Sequence, residues 1–87
     1  MRSIDCVGIA GVGLIGGSLA LAMRRLGMRV VGYDVRQEVV DRARELNAID
    51  IGSTEPKVVS DVQVLIVATP PECVVATVQL VLPHLRS

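Results

Sequence analysis

The sequence predicts an α/β fold built on a doubly wound parallel sheet with strand order 3-2-1-4. Short apolar runs alternate with longer segments of helical periodicity, which is typical of parallel strands joined by right-handed crossover helices. The core must also be aliphatic, because the chain has no Trp or Phe and its one aromatic residue is Tyr33. Val-rich strands of this kind suit a parallel sheet that helices cover.

Composition limits the size of the domain and the choice of partners. The chain has 87 residues and 51% of them are hydrophobic, which is enough for one domain with a small core. Nine basic and nine acidic residues cancel, so no charged surface for nucleic acid or an anionic membrane is indicated. The scarcity of aromatic rings also disfavours nucleic-acid modules that stack bases. We therefore expect neither nucleic acid nor a membrane as a partner.

An uncharged, mostly apolar stretch over residues 6–23 imitates a secretory signal or a membrane segment. A signal has a basic start, but Asp5 stands in that region. Several glycines interrupt the stretch, which is marginal in length for a bilayer core of about 30 Å. These glycines are Gly8, Gly11, Gly13, Gly16 and Gly17. We therefore expect a cytoplasmic protein.

The first strand and helix are predicted over residues 4–10 and 14–26. Residues 4–10 form a short apolar run that ends in glycines, which indicates a buried strand. Residues 14–26 repeat apolar side chains at helical spacing, and Gly27 follows as a stop. The side chains expected on the apolar face of this helix are Ile15, Leu19, Ala22 and Leu26.

A second unit follows, with a strand predicted over residues 29–33 and a helix over residues 37–46. The side chains expected to face inward from this helix are Val39, Ala43 and Leu46. Asn47 is expected to cap the helix in the left-handed conformation, since Asn is the usual second choice after Gly. A short third strand is predicted over residues 48–51.

The last part of the chain contains its clearest strand, residues 63–68. A helical turn is predicted before it at residues 56–59, and a helix after it at residues 72–82, for which Pro71 suits the first position. The apolar residues that repeat at helical spacing there are Val74, Val78, Val81 and Leu85. The sheet is expected to be truncated after this fourth strand. Residues 64–67 would then leave an apolar edge unpaired, and we expect the chain to self-associate, either through this edge or by burying the Val-rich helix that follows it.

The strongest functional signal is the motif GVGLIG at residues 11–16, which follows a predicted strand and opens a predicted helix. This context is the one that the Rossmann-type dinucleotide fingerprint requires. Gly11 permits the tight turn, Gly13 lets the backbone approach a pyrophosphate, and Gly16 allows close packing of helix and strand. Free N–H groups at the helix start favour the diphosphate. The residues predicted to bind a cofactor here are Gly11, Gly13, Leu14, Ile15 and Gly16.

Asp34 ends the second predicted strand, eighteen residues after Gly16, where a carboxylate should accept hydrogen bonds from the adenosine ribose. The alternative is an N-cap for the next helix, and we prefer ribose binding because strand, turn, helix and acid are in register. A carboxylate there repels a 2′-phosphate, which favours NAD over NADP. Arg36 leaves NADP open, because a guanidinium can accommodate that phosphate, although we prefer to interpret it as a solvated first-turn residue.

Thr69 and Pro70 end the fourth predicted strand. Ligands of open α/β sheets lie beyond the carboxyl ends of the strands, where the strand order reverses, and the first and fourth strands flank that point. Ala68, Thr69 and Pro70 should then lie near the nicotinamide half of a bound cofactor. The alternative, that they only end a strand and start a helix, is equally open.

Catalytic and metal-binding sets are absent from the sequence. Cys6 and Cys73 form no CxxC or zinc pattern, and both are interpreted as buried, inert thiols. Cys73 at a helix start could instead be reactive. His84, the single histidine, lies near the end of the chain and is not assigned a role. We therefore predict no catalytic residue and no metal ligand.

The segment VGIAGVGLIGGSLALAMRRLG, residues 7–27, resembles the start of the prephenate and arogenate dehydrogenases of tyrosine biosynthesis. The resemblance continues through residues 31–34, 43–50 and 64–70 and so covers essentially the whole chain. It implies oxidative decarboxylation of prephenate or arogenate with hydride transfer to NAD or NADP. Gly11, Gly13, Gly16 and Asp34 carry over as cofactor residues, whereas Asn47 departs from the glycine that is usual in the family.

The family's catalytic histidine and arginine residues, its substrate site and its dimer-forming helical domain come later than this chain reaches. Residues 1–87 therefore resemble the amino-terminal nucleotide-binding domain of a larger enzyme, which would bind prephenate or arogenate only with its second domain. Two alternatives stay open. One is another NAD-dependent dehydrogenase of the β-hydroxyacid type, which the string Leu14-Ile15-Gly16-Gly17-Ser18 disfavours. The other is a non-catalytic dinucleotide-binding module.

Overall fold

Four parallel strands and three α-helices alternate along residues 4–85, the part of the chain that the computed structural model describes. The strands are β1 (Cys6–Ala10), β2 (Arg29–Tyr33), β3 (Ile51–Ser53) and β4 (Val64–Val67). The helices are α1 (Leu14–Arg25), α2 (Gln37–Glu45) and α3 (Val74–Val81), and 3-10 turns cover Pro56–Val59, Pro71–Cys73 and Leu82–His84. The sheet order β3-β2-β1-β4 confirms the predicted doubly wound arrangement.

The register of the sheet brings the carboxyl ends of β1, β2 and β4 together. Ala10 of β1 lies opposite both Tyr33 of β2 and Val67 of β4. Just beyond, the Gly11 N–H donates to the Tyr33 carbonyl at 2.7 Å, and the Ala68 N–H donates to the Ala10 carbonyl at 2.8 Å. The segments that follow these three strands therefore leave the sheet side by side.

Helical segments cover both faces of the sheet, and each face has its own apolar core. On the face covered by α1 and α2, the core includes the fully buried side chains of Val7, Ile9, Val30 and Val40. On the other face, Val59 from a 3-10 turn and Val81 from α3 pack with Ala10 and Tyr33. Among the helices of residues 4–85, none is both long and apolar enough to cross a membrane.

Polar contacts fasten the amino-terminal end of the sheet. Oε1 of Gln63 accepts hydrogen bonds from the backbone N–H groups of Asp5 and Cys6, at 2.7 and 2.9 Å. This joins the start of β1 to the segment that enters β4. Nearby, Nη2 of Arg24 at the end of α1 forms an ion pair with Oδ1 of Asp50 at 3.0 Å. The loop before β3 is thereby tied to α1.

The third strand lies later than we predicted, at Ile51–Ser53 instead of residues 48–51. Asn47 is left-handed, with φ of 58°, as predicted for the cap of α2. The chain turns so tightly there that Ala48 and Ile49 enter the core, at 2% and 4% exposure, before strand pairing begins. Apolar residues that follow a helix cap can pack in the core while they belong to a turn. Their hydrophobicity alone therefore did not locate the strand correctly.

The prediction that the apolar residues of α1 face the core is wrong for most of them. Ile15 is 77% exposed and Leu26 is 75% exposed, whereas Gly16 and Ala20 are buried. The glycine turn sets α1 so close to the sheet that only small residues fit between them. Leu19 is the large member of the predicted face that packs against the core.

The other two helices are closer to expectation. In α2, Leu46 is exposed, contrary to prediction, because the chain has already left the helix there. The inward residues of α2 are Val39, Val40 and Ala43, all packed in the core. The helix predicted at residues 72–82 is divided into α3 and two flanking 3-10 turns, with Pro71 and Pro83 each at the start of a turn. Its predicted inward face is confirmed, since Val81 is fully buried and the other members are half-buried.

Candidate functional site

A cleft of about 620 Å³ opens at the carboxyl ends of β1, β2 and β4. The predicted site residues that line it are Gly11, Gly13, Leu14, Ile15, Asp34, Arg36, Thr69 and Pro70. Gly16, the remaining predicted residue, is buried in the first turn of α1 and does not line the cleft. The fold thus brings three distant parts of the sequence to one concave surface.

The turn from β1 into α1 requires glycine at two positions. Gly11 has φ of 96°, a conformation that L side chains rarely adopt, and a Cβ there would lie 2.9 Å from the carbonyl carbon of Ala68. A Cβ on Gly16 would overlap the carbonyl oxygen of Gly11. Both glycines are therefore needed to build the turn and to seat α1 on the sheet.

Gly13 differs from the other two, because the protein leaves room for a side chain there. Its φ is −72°, which is open to any residue. The nearest atom to a Cβ at this position would be Nη2 of Arg36, at an ordinary contact distance of 3.7 Å. Packing within the chain does not explain this glycine, so it forms an open cradle at the start of α1.

The first turn of α1 offers unpaired backbone donors to this cradle. The Gly17 N–H donates to the Gly13 carbonyl at 2.7 Å and begins the helical pattern. The N–H groups of residues 14–16 precede that bond, and no side chain caps the helix. Together with the positive end of the helix dipole, these donors favour an anion.

Asp34 lies at the back of the cleft and is only 4% exposed. Its Oδ1 accepts hydrogen bonds from the backbone N–H and from Nε of Arg36, both at 3.0 Å. Its Oδ2 accepts bonds from the backbone N–H of Val12 and from Nη2 of Arg36, both at 3.2 Å. The carboxylate does not cap α2, whose N-cap is Arg36 and has no side-chain cap bond. The N-cap interpretation of Asp34 is therefore wrong.

Arg36 is solvent-exposed, as in the interpretation that we preferred, but it is the N-cap of α2, not a first-turn residue, and it is paired with Asp34. Its guanidinium holds Asp34 through two nitrogens, while 54% of its side chain stays exposed at the cleft. A planar guanidinium and a carboxylate pair readily in this forked geometry. The sequence separation of two residues could have suggested the pair, but not its orientation.

Burial alone would raise the pKa of Asp34, since it disfavours the charged form. The hydrogen bonds and charge of Arg36, with the bond from Val12, outweigh burial and hold the pKa below its ordinary value. Beside it, burial and then the charge of Asp34 raise the pKa of Tyr33. Asp34 is therefore an ionised acceptor at neutral pH.

Thr69 and Pro70 lie across the cleft from the acid, after β4. Oγ1 of Thr69 is buried, and within the described residues it has no hydrogen-bond partner. A buried hydroxyl without a partner is unusual, and this one belongs to a residue that lines the cleft. Its methyl carbon would also lie 2.9 Å from a Cβ on Gly11, so Thr69 packs tightly on the glycine turn.

The cysteines do not fit our interpretation of them as buried thiols. Cys6 is half-buried, but Cys73 is exposed and lines the cleft. The prediction failed because Cys73 lies in a 3-10 turn ahead of α3, outside the face that packs on the sheet. His84 is exposed and lies outside the cleft lining. Within residues 4–85, no group of three or more potential ligands is placed to hold a metal ion.

Residues that the sequence analysis did not assign also line the cleft. They are Tyr33, Val35, Pro71 and Thr77, together with Cys73, whereas Ala68 lines the cleft as predicted. Most are neighbours of the predicted residues, so extending each motif by one position would have found them. Thr77 is different, because it reaches the cleft from α3 and gave no sequence signal.

An open parallel sheet of this order, with a glycine turn and an acid bordering one cleft, defines a dinucleotide-binding α/β domain of the Rossmann type. A family model described as "Prephenate dehydrogenase, nucleotide-binding domain" matches residues 19–87. The chain therefore belongs to this family, which confirms the resemblance found in the sequence.

Individual relatives agree. The chain is 38% identical over 71 residues to prephenate dehydrogenase of Bacillus subtilis (strain 168), a match that covers 78% of the chain and 19% of that protein. Synechocystis arogenate dehydrogenase has a TM-score of 0.89 and 28% identity, over 93% of this chain and 29% of that one. Prephenate dehydrogenase from A. aeolicus, in complex with hydroxyphenyl propionate and NAD+, has a TM-score of 0.86 and 30% identity, over 98% of this chain and 31% of that one. The chain thus spans about a fifth to a third of the length of these relatives.

Proposed function

We propose that the cleft binds the nicotinamide dinucleotide of a prephenate or arogenate dehydrogenase. The observation that carries this proposal is the open cradle at Gly13. The chain has room for a side chain at that position yet carries none, next to the free N–H groups of α1. A diphosphate fills such a space and accepts those bonds.

The remaining cleft residues fit the rest of the cofactor. The Asp34 carboxylate would accept hydrogen bonds from the hydroxyls of the adenosine ribose. The unpartnered Oγ1 of Thr69 lies at the opposite side, near the place expected for the nicotinamide half, and offers a hydrogen bond to its ribose or amide. Pro70 and Ile15 would border the same half as apolar walls.

The cofactor would supply the hydride acceptor, and the residues of this chain would bind and orient it. We assign no catalytic residue to residues 1–87. We propose that they form the nucleotide-binding domain of a larger cytoplasmic enzyme, and that prephenate or arogenate binds only together with its second domain. The family match favours this enzyme over a β-hydroxyacid dehydrogenase.

NAD is the preferred cofactor, because the Asp34 carboxylate would repel a 2′-phosphate. A. aeolicus prephenate dehydrogenase is a relative whose structure contains NAD+. Arg36 nevertheless stands beside the same site, so NADP is the alternative. We also propose that the chain self-associates through the unpaired edge of β4.

Calorimetry with the purified protein tests the function. We expect binding of NAD, weaker binding of NADP and no heat with prephenate alone. Gly13→Val should abolish the NAD signal while the far-UV circular dichroism stays the same. If neither nucleotide binds, the proposed function is wrong. If prephenate binds without nucleotide, the assignment of the substrate site to a second domain is wrong.

A further inference from the structure

The Asp34 carboxylate has no acceptor position left for a ribose. Two oxygens of a carboxylate provide about four lone-pair positions. Four donors occupy them here: two backbone N–H groups, from Val12 and Arg36, and two guanidinium nitrogens of Arg36. A ribose diol that binds Asp34 must therefore displace at least one of these donors.

The guanidinium of Arg36 is the donor that can leave. The backbone N–H groups are fixed by the glycine turn and by the chain entering α2, whereas the Arg36 side chain is 54% exposed. Its Nη2 also lies 3.7 Å from the place that a Cβ on Gly13 would occupy, closer than any other atom there. The guanidinium thus lies across the gap between the cradle at Gly13 and the acid, where an adenosine ribose and its phosphate would be joined.

We propose that Arg36 competes with the ribose of the nucleotide for Asp34, so that it lowers the affinity for NAD and reduces the preference for NAD over NADP. This inference rests on the proposed function of the cleft and deepens it. With NAD, the guanidinium must leave Asp34 and finds no 2′-phosphate on the ribose to pair with. With NADP, the displaced cation can pair with the 2′-phosphate, whose charge it matches in forked geometry. Arg36 thereby lowers the ratio of NAD affinity to NADP affinity that Asp34 favours.

The substitution Arg36→Gln distinguishes competition for Asp34 from a simple attraction between the arginine and an anionic ligand. Loss of a general attraction would weaken both nucleotides. Loss of a competitor instead tightens NAD, by about twofold to fivefold for a partly exposed pair, and weakens NADP by about tenfold or more. Arg44→Gln is the matched control, since Arg44 is an exposed residue of α2 outside the cleft and the change in charge is the same.

A double-mutant cycle locates the competition at Asp34. In an Asp34→Asn background, Arg36→Gln should no longer tighten NAD, because the carboxylate that both partners seek is gone. An independent readout is the Arg36 Nε–H resonance in ¹H–¹⁵N spectra. It should shift on addition of NAD to the unaltered protein, as the Nε–Oδ1 bond at 3.0 Å breaks.

Calorimetry of the whole chain with NAD and NADP gives the decisive comparison. Tighter NAD and weaker NADP with Arg36→Gln, and no change in either with Arg44→Gln, would support the inference. Unchanged or weaker NAD binding by Arg36→Gln, with normal binding by the unaltered protein, would overturn the competition and leave the function of the cleft intact. Failure of the unaltered protein to bind either nucleotide would overturn both the competition and the proposed function of the cleft.

Discussion

The backbone N–H of Val12 donates a hydrogen bond to Oδ2 of Asp34 across 3.2 Å. This contact joins the glycine turn after β1 to the acid after β2, so the two motifs of the site form one unit. The position of the carboxylate depends on the turn, and the turn is held in part by the carboxylate. Changes at either motif should therefore be felt at the other.

Replacing Gly13 by Val should abolish nucleotide binding and leave the fold intact. The side chain would fill the cradle that the diphosphate needs, whereas its Cβ would have only Nη2 of Arg36 within 4 Å. NAD affinity and far-UV circular dichroism, measured on the same sample, check this. A folded variant that binds NAD as well as the unaltered protein would contradict the assignment of the phosphate site.

Replacing Gly16 by Ala should instead destabilise the fold. The added methyl would overlap the carbonyl oxygen of Gly11, so the backbone must move, which we expect to cost about 3 kcal/mol or more. Urea denaturation measures this loss. Gly17→Ala is the matched control, because a Cβ there lies at an ordinary 3.4 Å from its nearest atom. Equal stability of the two variants would show that the contact of α1 with the turn is looser than described.

Replacing Asp34 by Ala should shift the preference from NAD towards NADP. The ribose loses a charged acceptor, which is worth about 1.5–3 kcal/mol, so NAD affinity should fall about tenfold to a hundredfold. Arg36 would then be free to meet a 2′-phosphate. The ratio of the two dissociation constants is the quantity to measure. A ratio that does not move would mean that Asp34 only supports the turn.

The stability contributed by Asp34 should disappear in acid. Its pKa is lower in the folded protein than the ordinary value of 3.8. The folded state therefore binds fewer protons than the unfolded chain, so the stabilisation is complete above that ordinary value and is lost as pH falls through the lower folded value. Unfolding free energies of the protein and of Asp34→Asn should differ by a constant amount at neutral pH and converge in acid. A difference that persists at low pH would contradict the shift.

The open edge of β4 should make the protein self-associate. Val64–Val67 pairs with β1 on one side and, within residues 4–85, with no strand on the other. Val64 is 38% exposed, and an exposed apolar edge can pair with another chain. Sedimentation should show a mass that rises with concentration.

Val64→Lys should abolish this association if the edge is the interface, whereas Val75→Lys, on the exposed side of α3, should not. The reverse result would assign the association to α3. A protein that is monomeric at every concentration would refute self-association.

Sequence could predict the backbone of the site better than its side chains. Gly11 and Gly16 were placed correctly because their need for glycine arises from the local turn. The state of Asp34 was not predicted, since it depends on which donors the folded chain brings to it. The same distinction explains β3, where Ala48 and Ile49 have the composition of a strand but fill the core from a turn. Periodicity likewise misplaced the inner face of α1, because close packing selected Gly16 and Ala20 over Leu and Ile.

The fastening of the sheet by Gln63 and by the pair Arg24–Asp50 lies at the end away from the cleft. The contacts that hold the strand register at this end are therefore separate from the residues proposed to bind the nucleotide. Substitutions of Gln63 or of the Arg24–Asp50 pair should lower stability without changing nucleotide choice. At the cleft end, by contrast, a change such as Asp34→Ala should alter both, because Asp34 also supports the glycine turn.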